Sequence, residues 1–197
     1  MPGTDRERRG GTGSGPLAGV RILEVGTMLA GPYATMMLAD LGAEVTKLEP
    51  AGGDISRKVS DSYFASLNRG KRSIRLELDS EPGRKRLGEL VAESHALLVN
   101  LKPSAIRRLG LTYDALRRYN ERIVCVAITG YGMHGGDDPA FDYVIQAAAG
   151  IAALTGDPAG PPTRPGVKYG DKKTRFNPAH GQGSHKRNGR RGEKAQN

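Results

Sequence analysis

The sequence is poor in cysteine and in long apolar stretches, and each absence excludes a class of protein. One cysteine, Cys125, cannot build a disulfide framework or a cluster of thiolate metal ligands, so we predict no metal site and a reducing compartment. No stretch approaches the ~20 apolar residues that a membrane-spanning helix needs. The polar amino terminus lacks the apolar core of a signal peptide. We therefore expect a cytoplasmic protein without a membrane partner.

Two common glycine-rich nucleotide-binding motifs are also absent. The loop at residues 26–32, which follows the first apolar strand, contains neither Gly-x-Gly-x-x-Gly nor Gly-Lys-Ser/Thr. This absence argues against nicotinamide-dependent and ATP-dependent enzymes. What remains is the amino terminus of a helix that faces the ligand crevice, where free N–H groups attract an anion.

Positive charge is unevenly distributed along the chain. Eight of the 30 Lys and Arg residues, but one of the 21 Asp and Glu residues, follow Asp171, so this tail carries +7 of the net charge of +9. A nearly neutral body with a charged end is typical of a domain with an appendage and not of a nucleic-acid-binding face. Because the tail has few aromatic or large apolar residues, we predict that residues 172–197 are disordered, foreign to the fold and without a specific nucleic-acid partner. Residues 1–15 are also predicted to be disordered.

Short apolar runs alternate with helical stretches from residue 17 onward. Strands are predicted at residues 20–25, 44–48, 73–78, 96–100 and 123–129. Helices are predicted at residues 31–41, 81–93, 104–108 and 113–119. Such alternation requires right-handed crossovers and predicts an α/β, doubly wound, mostly parallel Rossmann-like sheet over a domain at residues 16–171. Ligands of these sheets bind at the carboxyl ends of the strands.

Several short motifs follow one another in an order typical of one family. They are Ala-Gly-Pro at 30–32, Leu-Ala-Asp-Leu-Gly-Ala-Glu-Val at 38–45, Lys-Leu-Glu-Pro at 47–50, Asn-Arg-Gly-Lys-Arg-Ser-Ile at 68–74, Thr-Gly-Tyr-Gly at 129–132 and Gly-Pro-Pro-Thr at 160–163. In this order, residues 17–171 resemble the N-terminal half of the family III CoA-transferases, which include formyl-CoA, carnitine and bile-acid CoA-transferases.

The resemblance implies a reaction in which CoA moves from an acyl-CoA thioester to a free carboxylic acid. CoA is then a substrate, and no cofactor is bound permanently. Family members use an aspartate nucleophile that passes through a mixed anhydride to an aspartyl-CoA thioester, and the matching position here is Asp171. By residue type alone, an Asp after a Gly is an ordinary turn residue. The resemblance also implies a homodimer.

The same resemblance places CoA over the loop after the first strand and over the ends of later strands. The matching residues are Leu29, Ala30, Leu76, Glu77, Leu78, Asp79, Asn100, Leu101, Lys102 and Arg108. Arg108 and Lys102 are candidates for contacts with the phosphates, and a solvated surface position is the alternative for both. Lys71 and Arg72 belong to a recurring family string, which a charged turn before a strand also explains. Pro50 departs from those members that have a basic residue there.

Phe141 and Asp142 separate two groups of relatives. In the related α-methylacyl-CoA racemases a His-Asp pair exchanges the proton at the α-carbon, and Phe141 cannot take a proton. This position argues against a racemase. Asp142 either lines the acyl site or caps a helix.

The composition changes abruptly after Asp171, where family members continue with a small-residue helix and a second domain. We therefore expect the chain as written to be a truncated CoA-transferase without activity, with a frameshift or a misjoined sequence as the origin of the tail. The alternative is a non-catalytic fragment that binds CoA.

Overall fold

The computed structural model describes residues 14–168, and one five-stranded sheet organises them. The strands are β1 (Arg21–Val25), β2 (Glu44–Glu49), β3 (Lys71–Arg75), β4 (Ala96–Val99) and β5 (Val124–Ala127). Neighbouring strands are all parallel, and their order is β3-β2-β1-β4-β5. The α/β fold with a parallel sheet that the sequence predicts is confirmed.

Helices connect successive strands or follow them. They are α1 (Ala30–Asp40), α2 (Ser56–Val59), α3 (Asp61–Asn68), α4 (Glu81–Ala92), α5 (Pro103–Arg108), α6 (Tyr113–Leu116) and α7 (Asp142–Ala148), with a 3-10 turn at Ala152–Leu154. α1 ends before Gly42, whose φ of 100° is a left-handed value that favours glycine. α4 begins after Ser80, whose Oγ accepts a hydrogen bond from the N–H of Gly83 at 3.1 Å.

The main core lies between the central strands and the crossover helices. Leu23 of β1 and Leu97 of β4 are at most 2% exposed, and they belong to one apolar cluster with Val91 of α4, Ile106 of α5 and Leu116 of α6. Burial of each such side chain contributes about 1.5–3 kcal/mol, which holds the helices on the sheet. The two edge strands are more exposed because each has one neighbouring strand.

The third strand lies earlier in the chain than predicted. β3 runs from Lys71 to Arg75 because these residues pair with residues 45–49 of β2, whereas the prediction was residues 73–78. The apolar residues Leu76 and Leu78 suggested the later position. They pack against the core from the loop that follows the strand.

Helices α2 and α3 are absent from the sequence prediction. Both are short, and side-chain contacts hold them in place, including the ion pair between Arg57 of α2 and Glu49 of β2. The guanidinium of Arg57 lies 3.6 Å from the centre of the Phe64 ring, and Ser60 accepts a hydrogen bond from the N–H of Tyr63 at the start of α3. A helix stabilised by such contacts leaves a weak periodic pattern.

Some predictions fall outside the part of the chain that the structure describes. Residues 1–13 and 172–197, as well as the candidate nucleophile Asp171, lie outside residues 14–168. Expectations about them, including the domain boundary at 171, stay predictions. Within residues 14–168, no helix has the length and apolar character needed to cross a membrane.

Candidate functional site

Three segments singled out from the sequence meet at the carboxyl edge of the sheet. Residues 26–32 follow β1, residues 76–80 follow β3, and residues 100–108 follow β4. Because the strands are parallel, all three segments leave the sheet at the same edge. Asn100 joins the first segment to the third, and Arg108 joins the second to the third.

Asn100 clamps the loop that follows β1. Its Oδ1 accepts a hydrogen bond from the N–H of Thr27 at 3.0 Å, and its Nδ2 donates to the C=O of Thr27 at 2.9 Å. A Cβ atom at Gly26 or Gly31 would lie 2.1 or 2.7 Å from that Oδ1, so the clamp requires glycine at both positions. Met28 in the same loop has a φ of 63°, a conformation that costs a non-glycine residue about 1–3 kcal/mol.

Several of the predicted CoA contacts direct their side chains into the core. Leu78 is buried, and Leu76 and Leu101 pack against the same apolar cluster. Leu29 and Ala30 are half-buried where α1 begins. The side chain of Leu78 is therefore inaccessible to a ligand at this edge, whereas Leu76 and Leu101 keep part of their surface exposed.

Arg108 and Asp79 form an exposed ion pair across the site. Arg108 Nη1 donates to Asp79 Oδ1, and the two side chains are 60% and 53% exposed. The hydrogen bond between them lowers the pKa of Asp79 and raises the pKa of Arg108. Lys102 and Glu77 are also exposed. The structure therefore brings together two predicted cofactor contacts of opposite charge.

A second acid lies beside α5. Asp137 Oδ1 accepts a hydrogen bond from the N–H of Ser104 at 3.1 Å, and Arg107 Nη1 donates to the C=O of Met133 at 2.8 Å. Hydrogen bonds from Ser104, followed by the charges of Lys102 and Arg107, lower the pKa of Asp137. Two carboxylates of this chain, Asp79 and Asp137, therefore lie close to the arginines of α5.

Four charged side chains form a buried cluster next to the same loop. Glu24 of β1 and Lys47 of β2 are cross-strand partners, and Lys47 Nζ lies 2.8 Å from both Glu24 Oε1 and Asp54 Oδ2. Lys71 Nζ lies 2.8 Å from Glu24 Oε2. Every member is at most 1% exposed. Two cations and two anions therefore balance one another away from water.

This cluster holds both ends of the loop at residues 26–32. Lys47 Nζ donates to the C=O of Gly26 at 2.8 Å, and Lys71 Nζ donates to the C=O of Pro32 at 2.7 Å. Burial lowers the pKa of Lys71 to about 8, with Glu24 acting in the opposite direction. Lys71 begins a strand and is buried, in contrast to the charged turn expected from sequence. Charged residues inside otherwise apolar strands were the signal that could have identified this cluster.

Glu49, at the end of β2, is a further buried carboxylate. Its two oxygens accept hydrogen bonds from Arg57 at 2.8 and 2.7 Å, from the N–H of Asp54 at 2.8 Å and from Ser73 Oγ at 2.5 Å. Burial by itself raises the pKa of Glu49, but these hydrogen bonds outweigh it and lower the pKa to about 2. Glu49 thereby ties the loop after β2 to β3.

We expect Glu49 to make folding stability sensitive to acid. Its folded pKa of about 2 lies below the ordinary value of 4.5, so its contribution is complete above pH 4.5 and is lost as the pH falls towards 2. In Glu49→Gln, urea unfolding should give a lower stability at neutral pH and a weaker loss between those two pH values. Glu89→Gln, at an exposed position, should unfold like the parent chain throughout. An unchanged acid dependence in Glu49→Gln would contradict this assignment.

Phe141 and Asp142 lie at the start of α7. Phe141 is 62% exposed, and its ring stacks on Tyr143 with 5.8 Å between ring centres. Asp142 is buried, and its Oδ2 accepts a hydrogen bond from Gln146 Nε2 at 2.5 Å. The position before the helix is held by Phe141, so Asp142 belongs to the first turn and not to the cap.

The described residues offer no preformed metal centre. Within residues 14–168, no group of three His, Cys, Asp or Glu side chains is placed to hold a metal ion. Burial raises the pKa of the Cys125 thiol to about 11, so this side chain stays protonated near neutral pH.

An open cleft of about 410 Å³ lies at the amino ends of the strands, opposite the carboxyl edge. It is lined by Arg21, Glu93, His95, Arg122 and other residues that precede or begin β1, β4 and β5. None of the predicted site residues lines it. The site predicted from the sequence is a surface of loops at the carboxyl edge, and not this cleft.

The model of CoA-transferase family III matches residues 17–194. Among curated proteins, succinate–glutarate CoA-transferase from Agrobacterium fabrum is 37% identical over 172 residues, covering 79% of this chain and 43% of the relative. Formyl-CoA:oxalate CoA-transferase from Streptomyces avermitilis is 40% identical over 166 residues, covering 80% of this chain and 41% of the relative. The chain thus spans about two fifths of the length of these relatives.

Two solved structures share the fold of this chain. A CAIB/BAIF family protein from Brucella suis superposes with a TM-score of 0.74 at 32% identity, covering 84% of this chain and 50% of the other. A hypothetical protein from Mycobacterium tuberculosis superposes with a TM-score of 0.77 at 32% identity, covering 85% and 49%.

Proposed function

Because the chain belongs to CoA-transferase family III, we propose that it supplies the CoA-binding half of an enzyme that moves CoA from an acyl-CoA thioester to a free carboxylic acid. The observation that carries this proposal is the meeting of the loops after β1, β3 and β4 at one edge of the sheet. These loops contain the residues that match the family's CoA contacts. CoA is a substrate in this proposal, and no cofactor is bound permanently.

The phosphates of CoA are the groups that this edge recognises. Arg108 and Lys102 are exposed on the segment after β4, where a ligand in solvent has access to both, and Arg108 is also paired with Asp79. Guanidinium–phosphate pairs are charge-assisted and often bidentate, and they bind more strongly than neutral hydrogen bonds. The clamped loop at residues 26–32 presents the start of α1 beside them.

Asp171 is the nucleophile that we propose for the chemical steps. Its carboxylate attacks the thioester carbonyl, the C–S bond breaks, and a mixed anhydride and the CoA thiolate are formed. The thiolate then attacks the aspartyl carbonyl, which releases the first acid and leaves an aspartyl-CoA thioester. A carboxylate suits this role because either a thiolate or a second carboxylate reopens an anhydride. The homodimer implied by the resemblance and the cytoplasmic location expected from the composition stay predictions.

Calorimetric titration with CoA tests the proposed binding site. We expect the chain to bind CoA and Arg108→Gln to weaken binding by about tenfold or more, since a hydrogen bond to a charged group contributes about 1.5–3 kcal/mol. Arg122→Gln is the matched control, because Arg122 is an exposed arginine at the opposite edge of the sheet. Absence of CoA binding by the parent chain, or equal losses in both variants, would contradict the proposal.

A further inference from the structure

Asp79 is poorly placed to attract a phosphate. It is an exposed carboxylate in the segment after β3, and it accepts a hydrogen bond from Arg108 of α5. CoA carries negative charge at its phosphates, so a carboxylate at the same place repels it. The resemblance nevertheless matches Asp79 to a CoA contact.

The guanidinium of Arg108 is paired with the carboxylate of Asp79. The pairing lowers the pKa of Asp79, to which Arg84 also contributes by its charge. The partner groups of this pair are more than half exposed, so water and anions have access to both. An exposed ion pair is weak enough for a phosphate to replace one partner.

From this geometry we propose that Asp79 competes with the phosphate groups of CoA for Arg108 and thereby lowers the affinity of the carboxyl-edge site. When CoA binds, its phosphate takes the guanidinium, and the Asp79 carboxylate is released into solvent beside Arg84. This inference rests on the proposed function, and it reverses the role of Asp79 from a contact to a competitor.

The test is a calorimetric titration of CoA at low ionic strength into the parent chain and its variants. We expect Asp79→Asn to bind CoA about three- to tenfold more tightly, as expected for loss of one exposed competing charge. Asp79→Glu, which keeps the charge, should bind like the parent chain. Asp40→Asn is the matched control, because Asp40 forms an exposed ion pair with Arg69 elsewhere on the surface. It should leave the affinity unchanged.

A second arm separates competition from general repulsion. In an Arg108→Gln background, Asp79→Asn should give a clearly smaller gain, because the guanidinium for which Asp79 competes is absent and only direct repulsion of the phosphates remains. A gain of equal size in that background would overturn the proposal, as would an Asp79→Asn variant that binds no more tightly than the parent chain. If the parent chain and all variants fail to bind CoA, the proposed function fails together with this inference. If the parent chain binds CoA but Asp79→Asn binds it no more tightly, this inference is rejected and the proposed function stands.

Discussion

Replacement of Lys47 by methionine is expected to lower the free energy of unfolding by about 3–5 kcal/mol, the range for removal of one member of a buried ion pair. Lys47 Nζ is 2.8 Å from the carboxylates of Glu24 and Asp54 and from the C=O of Gly26. Methionine fills most of the same volume but leaves both carboxylates without their shared cation. Lys71 can compensate in part, because it also contacts Glu24.

Urea unfolding of the Lys47→Met variant measures this loss. The control is Lys85→Met, which makes the same change at an exposed position of α4 and should alter stability by less than about 0.5 kcal/mol. Hydrogen exchange at the amides of residues 27–29 should also become faster in the Lys47 variant, because the loop loses a support at its first residue. A Lys47 variant as stable as the control would refute the role given to the cluster.

The polypeptide of 197 residues is expected to show no measurable CoA-transferase activity. It corresponds to about two fifths of the length of its curated relatives, so more than half of each relative has no counterpart in it. Covalent catalysis also requires the nucleophile to be held to within about half an ångström. Asp171 is followed by Lys172 and Lys173, where the family has a small-residue helix. The two lysines favour a charged and solvated carboxylate.

The measurement is CoA transfer between several acyl-CoA donors and free acids, with the purified chain compared to a reaction without protein. Asp171→Ala serves as the matched variant, since it removes the proposed nucleophile and leaves the described carboxyl-edge residues intact. Turnover above background that disappears in Asp171→Ala would show that the prediction is wrong and would support Asp171 as the nucleophile. The titration with CoA remains informative in either case.

Local patterns were sufficient to predict the order of the main elements. The runs at β1, β2, β4 and β5 lie within two residues of their predicted positions, because apolar strands separated by crossover-length segments leave few other arrangements. The edge strand β3 was displaced, because its polar residues carry a weaker apolar signal and its position depends on pairing with β2. The short helices α2 and α3 depend on tertiary contacts in the same way.

By itself, the sequence determined the fold class and the family and indicated the edge of the sheet at which we propose that CoA binds, because element order and motif order are properties of the chain read from end to end. Tertiary structure alone decided which charges meet. Glu24 and Lys47 are 23 residues apart and Arg108 and Asp79 are 29 apart. Only strand register and helix placement bring such groups within hydrogen-bonding distance. One pair is buried as a support of the loop and the other stays exposed at the site, and burial, which sequence spacing does not contain, makes that difference.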